Sequence, residues 1–589
     1  MFGMIVAIAS VAVAAQPLFV AYPPANHKTT ADRIFLIGTA PPPGEVLVNG
    51  NQISRTAAGH FAPTFPLQLG ENLFTLRYEN QEVKIKVMRQ SNQPEVPVGL
   101  AFAKDSLTPK VDVASLPGEY ICFGAIAPAN AQVSVKLAGV TIPLKARSQV
   151  ELPDNKSVLL GENSPIKKGG SEQYQGCGKT PENSLSSKEE KVDLGVPSFE
   201  LTMNDRTISQ QGTGKISILS PADLEIAEVT ADPGVARTGA STDFSRMTPL
   251  PKGTRATIIG REGEWLRLDY GAWIKASEVQ IVKDAVPPRS IIRSARSRQV
   301  SGWTEVLFPL ETPVPVTVQE GERTFTLTLY NTTAQTDIIR LDDDPVISRL
   351  AWQQISPLQV QYTFNLKSAQ QWGYKLRYDG TTLVLSLKHP PANTSMMPVS
   401  QAKPLSGIKI LIDPGHGGPQ DPGAVSPVGI REKTLTLIVS KLVQEELVNR
   451  GANVVMTRVE DVDLDLPPRV EMIQKEEPAI AISIHYNALP DNGDAINTKG
   501  VGAFWFHPQA HSLAMFLHNY LVAKLNRPSY GVFWNNLAMT RPAVAPSVLM
   551  ELGFMINPEE FEWIVNPTEQ KKLAEAIAQG VTEWFASVK

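Results

Sequence analysis

Ile408-Lys-Ile-Leu-Ile-Asp-Pro-Gly-His-Gly-Gly418 is a short apolar strand that stops in a Pro/Gly loop, with His416 at its tip. A strand that ends this way aims a side chain into the crevice at the carboxyl edge of an open α/β sheet. Three further signals of the same kind follow. Glu432 stands just before a helical pattern, His485 closes the run Ile480-Ala-Ile-Ser-Ile484, and Glu551 follows Ser547-Val-Leu-Met550. Two histidines and two carboxylates at the ends of strands and helices make the donor inventory of a hydrolytic zinc site.

Around these residues strand and helix patterns alternate, which predicts for residues 405–589 an α/β domain with a mainly parallel sheet flanked by helices. Leu435, Ile438, Val439, Leu442, Val443 and Leu447 follow helical spacing. Gly451 sits where a left-handed cap is expected. Asn453–Thr457 reads as a strand, and Leu466-Pro-Pro starts a second helix at its prolines. The strand ending at His485, a strand at Val501–Phe506, a helix from His511 to Leu525, the strand carrying Glu551 and a closing helix from Glu569 to Trp584 complete the pattern.

The rest of the chain is different in kind. At 589 residues the protein exceeds one core, and about three to five domains are expected. Most of its 47 prolines and 41 glycines lie in the first two thirds, which suits serial β-modules rather than long helices. A net charge of -4 speaks against a dedicated nucleic-acid binder, so no nucleic-acid partner is expected. Residues 1–15 are apolar and end in Ala-Val-Ala-Ala, the pattern of an export signal, although no Lys or Arg precedes the apolar run. Residues 17–90 alternate apolar and polar side chains and carry the turn signal Asn49-Gly50, as in an immunoglobulin-like β-sandwich. His60 within it is expected to be structural.

Residues 95–200 read as a second β-module with a polar linker, the stretch 161–191 being rich in Gly, Ser, Glu and Lys. Cys122 and Cys177 are the only cysteines, and spacing alone leaves both a disulfide and two free thiols open. Over residues 201–285 the order of Lys252–Gly260, Glu264-Trp-Leu-Arg-Leu-Asp269 and Gly271-Ala-Trp-Ile-Lys275 resembles a bacterial SH3-like barrel. Trp265 and Trp273 can either line a groove there or fill its core. Residues 289–391 are again all-β and are similar in position and character to the AMIN modules that precede many periplasmic amidases. Residues 392–404 read as a Pro/Ser-containing linker.

In the last third, Asp413-Pro-Gly-His-Gly-Gly418, Asp421-Pro-Gly-Ala424, Gly429-x-x-Glu-Lys433, Thr457-Arg458, Ser483-Ile-His-x-Asn487 and Glu551-Leu-Gly-Phe554 follow one another. This order resembles the zinc-dependent N-acetylmuramoyl-L-alanine amidases of the Amidase_3 type. The resemblance implies hydrolysis of the amide between N-acetylmuramic acid and L-alanine of peptidoglycan, in wall remodelling or daughter-cell separation. It implies zinc as cofactor, with His416, Glu432 and His485 as metal ligands and Glu551 as the catalytic residue acting on water. It also implies a periplasmic or cell-envelope location, with envelope or division proteins as further partners of the β-modules. A catalytically inert peptidoglycan-binding protein and a zinc hydrolase of another peptide amide are the alternatives.

Several residues carry two readings. Glu432 alone would pass for a surface acid favoured by a helix dipole. Asp413 either orients His416 or serves a turn. His507, His511 and His518 are either a second metal cluster or separate structural histidines, with no carboxylate or cysteine completing the set. Asn487 and Arg541 either touch substrate or hold loops. Some members of the family this chain resembles carry an occluding helix between the second histidine and the next strand; only the polar, turn-rich Ala488–Lys499 stands here, which predicts an open site.

Overall fold

Ile410, Ile412, Ile480, Ile482, Ile484 and Val548 are buried to 0% exposure, the mark of strands covered on both faces. In the computed structural model they form the centre of the C-terminal sheet. The structure describes residues 17–588 apart from 92–96, 98, 148–149, 152–165, 168–171, 182–190, 223, 283–284 and 392–402. The expected export signal over residues 1–15 lies outside the described residues, as does most of the expected linker, 392–402.

We number the C-terminal elements from Lys409. They are β1 (Lys409–Pro414), α1 (Glu432–Asn449), β2 (Asn453–Met456), α2 (Leu466–Glu476), β3 (Ile480–Asn487), β4 (Val501–Trp505), α3 (Pro508–Leu525), β5 (Ser529–Trp534), β6 (Ser547–Phe554), α4 (Pro558–Ile564) and α5 (Pro567–Ser587). The sheet order is β2-β1-β3-β6-β4-β5. All neighbours are parallel except β4 and β6, which pair antiparallel with Gly502 opposite Glu551. The sheet is therefore mixed and mostly parallel. One edge, the one near His416, His485 and Glu551, gathers the carboxyl ends of β1, β3 and β6 and the amino end of β4.

The helices follow their sequence signals. Prolines open α2, α3, α4 and α5, where a missing N–H costs nothing. Leu435, Val439, Val443 and Leu447 bury one face of α1, whereas Ile438, on the same apolar spacing, is 37% exposed. The expected cap at Gly451 has a φ of 97°, with Arg450 closing the helix before it. Two elements carried no signal: the edge strand β5 and the seven-residue helix α4.

Preceding strands form β-rich modules. Within residues 17–90, a three-stranded and a five-stranded sheet enclose Leu36, Val46, Leu76 and Val87. A six-stranded sheet runs from Tyr120–Ala127 to Arg206–Gln211 and includes Glu172–Lys179. Part of the stretch read as a polar linker is thus a strand, and Cys177 on it is disulfide-bonded to Cys122 on its neighbour. Val113–Ser115 joins the sheet of residues 216–282, parallel to Ile216–Leu219 and antiparallel to Arg255–Glu262. Trp265 there is buried and Trp273 half-buried. Over residues 289–391, a five-stranded and a four-stranded sheet enclose Phe308, Phe325, Tyr362 and Phe364. No helix among the described residues is long and apolar enough to cross a membrane.

Candidate active site

The loop after β1 turns back sharply. His416 has a φ of 59°, a left-handed conformation that a non-glycine residue adopts only when its surroundings hold it. Two buried arginines do so. Arg458 donates to the carbonyls of Pro414 at 3.0 Å and Gly415 at 2.8 Å. Arg469 donates to the carbonyls of Pro414 at 2.8 Å and His416 at 2.6 Å. Arg469 also pairs with Asp413 at 2.7 Å, and the Thr457 and Ser483 hydroxyls donate to the same carboxylate at 2.5 and 2.6 Å. Asp413 therefore fixes the turn and does not touch the imidazole of His416.

Asp421 orients that ring instead, its Oδ1 lying 2.6 Å from His416 Nδ1. A carboxylate only accepts, so Nδ1 carries the proton and Nε2 is left to face Glu432 Oε2 at 3.1 Å. Glu432 opens α1 and is buried, its side chain 4% exposed. Its Oε1 lies 3.1 Å from His485 Nδ1. Each oxygen also accepts a backbone N–H, from Ala424 at 2.9 Å and from Tyr486 at 3.0 Å. This is no surface acid.

Two glycines make the crowding possible. A Cβ on Gly415 would meet the His485 ring at 2.3 Å. One on Gly423, at φ +68°, would meet Glu432 at 2.7 Å and His416 at 2.8 Å. The rings of His416 and His485 stand edge to face, 4.9 Å between centroids. One donor atom from each of His416, Glu432 and His485 lies within 4.8 Å of the others, the one such group of three His, Cys, Asp or Glu residues among the described residues that could hold a metal ion.

Glu551 sits on β6 beside His485 on β3. Its Oε2 is buried with no hydrogen-bond partner, an arrangement that calls for a ligand or a functional explanation. Burial, with Glu432 adding its charge and the two histidines opposing, pushes the Glu551 carboxyl up to about 8. Burial also works against ionising Glu432, but the hydrogen bonds from His416 and His485 outweigh it and hold the carboxyl well below the ordinary range. For His416, burial disfavours the charged ring, yet Glu432 and Asp421 carry it to about 9. His485 is raised the same way by Glu432 against its burial.

The three-residue donor set suits a divalent cation of zinc type: two imidazoles and one carboxylate, a set that in a catalytic zinc site leaves a fourth position for water. The His416 and His485 side chains remain 24% and 16% exposed, so the donor group faces solvent.

The other histidines stand apart. His507 lies 2.9 Å from Glu320 Oε1 and 2.9 Å from the carbonyl of Arg541. His518 contacts Asn519 and Ser529, and the His511 ring stands against Trp505. They form no metal cluster. Arg541 donates to Asn536 at the opposite edge of the sheet, in a loop-holding role. Asn487 accepts from the N–H of Ala488. His60 is buried, its Nδ1 2.9 Å from Thr39 Oγ1, in keeping with a structural residue. Sequence reasoning missed Asp421 as the partner of His416 and Arg469 as the partner of Asp413. Arg469 gives no local signal, being one arginine in a helix 56 residues from its carboxylate.

Comparison with known proteins adds to this geometry. The family profile Amidase_3, N-acetylmuramoyl-L-alanine amidase, matches residues 410–583. The germination-specific N-acetylmuramoyl-L-alanine amidase of Bacillus subtilis is 34% identical over 199 residues, which are 31% of this chain and 81% of that protein. A probable cell wall amidase, LytH, of Staphylococcus epidermidis is also 34% identical over 199 residues, covering 33% of this chain and 64% of its own length. Among solved structures, an N-acetylmuramoyl-L-alanine amidase from Clostridium difficile 630 is 30% identical, with a TM-score of 0.29, covering 31% of this chain and 98% of that one. The family profile covers the region that holds His416, Glu432, His485 and Glu551, the match to the Bacillus protein spans most of that protein, and by it the chain belongs to the N-acetylmuramoyl-L-alanine amidase family of the Amidase_3 type.

Proposed function

We propose that residues 405–589 form a zinc-dependent amidase that hydrolyses the amide between the lactyl group of N-acetylmuramic acid and L-alanine of peptidoglycan. The β-modules over 17–90, 95–200, 201–285 and 289–391 carry it in the periplasm or cell envelope, where it acts in wall remodelling or daughter-cell separation. One observation above all supports the reading: donor atoms of His416, Glu432 and His485 converge within 4.8 Å next to a buried, unpartnered oxygen of Glu551.

His416, Glu432 and His485 would hold the zinc ion, which when bound would supply Lewis acidity toward the scissile carbonyl and lower the pKa of water. The chain's own residues do the rest. Asp421 keeps the proton on His416 Nδ1 and fixes the ring. The N–H groups of Ala424 and Tyr486 hold the Glu432 carboxylate in place. Glu551 takes a proton from the attacking water on its carboxylate and returns it to the leaving nitrogen of L-alanine. The exposed side of the donor group leaves access for a polymer.

The test is digestion of purified peptidoglycan by the full chain, with products identified by mass. Intact stem peptides with a free L-alanine amine, and glycan with free lactyl carboxylates, are expected. Binding without release would favour the inert wall-binding protein. Cleavage within the stem peptide would favour a hydrolase of another amide.

A further inference from the structure

The first β-module is docked on the active edge of the catalytic domain. Three loops leave that edge: 415–431 before Glu432, 488–499 after β3, and the segment after β6. The module touches all three. The Phe19 ring lies over Gly429, where a Cβ would meet it at 3.5 Å. Phe35, Ile37 and Ala62 of the module bury together with Ala495, Phe554 and Ile556, each 3% exposed or less. His60 stands edge-on to Phe561, 5.4 Å between ring centroids.

At the middle loop the contact is polar and specific. Asp491 accepts from the Tyr22 hydroxyl, lies 2.9 Å from His27 Nε2, and is also bonded by Thr29. All three partners belong to the module. On its far side the same loop is held by Asn557, whose amide donates to the carbonyls of Ile496 at 2.7 Å and Thr498 at 3.2 Å.

We propose that Tyr22, His27 and Asp491 are positioning residues, through which the first β-module holds the segment Ala488–Lys499 in the arrangement that keeps the catalytic edge ordered and open. This rests on the amidase reading of that edge. Two features favour support over blockade. The interface is apolar at its centre, as in a permanent contact. The side chains of His416 and His485 still reach solvent with the module in place. The segment begins directly after the strand that carries His485, so its disorder would propagate to the wall of the cleft. A displacement of about 1 Å at such a site lowers turnover by up to ~10²-fold.

The experiment compares the full chain with Asp491→Ala, Asp491→Glu and the double variant Tyr22→Phe/His27→Gln. Hydrogen exchange is followed over 488–499, and kcat and KM are measured on soluble peptidoglycan fragments. Asp491→Ala and the double variant are expected to lose protection in 488–499 by at least about tenfold, since a local contact governs local opening. Turnover falls by about 10- to 100-fold, mainly in kcat, with zinc content and melting temperature unchanged. Asp491→Glu restores part of both effects, and combining the two sets of substitutions adds little. Unchanged exchange overturns the proposal, as does higher kcat, which would make the module a restraint. If the wild-type chain releases no stem peptide, the amidase reading fails on its own, and the exchange comparison still upholds or overturns the docking role.

Discussion

Asp421 and Asp413 stand eight residues apart and do different work. Asp421 sets the tautomer and aim of His416, and Asp413 anchors the turn beneath it. Substituting Asp421 by Ala is expected to weaken zinc affinity by about 10- to 100-fold with the fold intact, as for other residues that orient a metal-ligating histidine; competition with a fluorescent chelator measures this. Asp413→Asn is expected to cost ~3–5 kcal/mol, because it leaves Arg469 buried beside a neutral partner. Burial works against the Asp413 charge, but Arg469, Ser483 and Thr457 overcome it and hold its carboxyl below the usual range. The sign follows: the stabilisation is complete above an unfolded-state pKa of about 3.9 and is lost as pH falls through the lower folded value. Acid denaturation of Asp413→Asn should therefore lose the steepest part of the wild-type profile below about pH 4.

Glu551 carries the chemical prediction. Glu551→Gln is expected to bind zinc as the wild type does and to lose at least ~10²-fold in turnover. The base acts only when ionised, so kcat/KM falls as pH is lowered through its pKa. Burial places that carboxyl at about 8, and a cation in the site favours the ionised form and draws the limb lower. A pH–rate profile shows the limb in the wild type and its absence in Glu551→Gln. A limb that persists in the variant would assign it to another group.

At the scale of elements, the four site residues were legible because each ends an apolar run or opens a helix. Their convergence into one site was implied by residue type and by the family resemblance, and the spacing alone could not give it, since it depends on which strands are neighbours. The direction of β4 was also hidden, because a hydrophobic run reads the same in either orientation. Strand β5, with Tyr530 and Phe533 only half-buried, has the mixed pattern of an edge, and α4 is too short to show a period. Helix α1 shows both the reach and the limit of periodicity: of six residues on the predicted face, Leu435, Val439, Val443 and Leu447 are buried, Leu442 is half-buried and Ile438 is exposed. Leu447→Ala is expected to cost ~2–5 kcal/mol, whereas Ile438→Ala should stay within ~0.5 kcal/mol. Thermal unfolding of the two variants separates them.

Across the whole molecule, β-modules hold the catalytic domain at both edges of its sheet. Residues 17–90 meet the active edge. Residues 289–391 meet the opposite edge, where Trp303 donates to Glu477 at 3.0 Å and Lys388 donates to the carbonyls of Glu477, Pro478 and Val544 at 3.0, 2.6 and 3.1 Å. Lys375 pairs with the same glutamate and lies 4.1 Å over the Trp303 ring. None of this could be read from the chain in order, because the partners lie in separate modules and each looks like an ordinary surface residue alone. The modules that follow one another along the chain fold so that two of them clasp the C-terminal domain.

On the proposed function, a zinc ion at His416, Glu432 and His485 drives amide hydrolysis in peptidoglycan. The most direct measurement is release of stem peptides by the purified full chain, before and after removal of metal by a chelator and again after zinc is returned, with zinc content measured in each state. About one zinc per chain is expected in the active protein, following from one three-donor site, with loss of release on chelation and recovery with zinc. Undiminished release by zinc-free protein would contradict it.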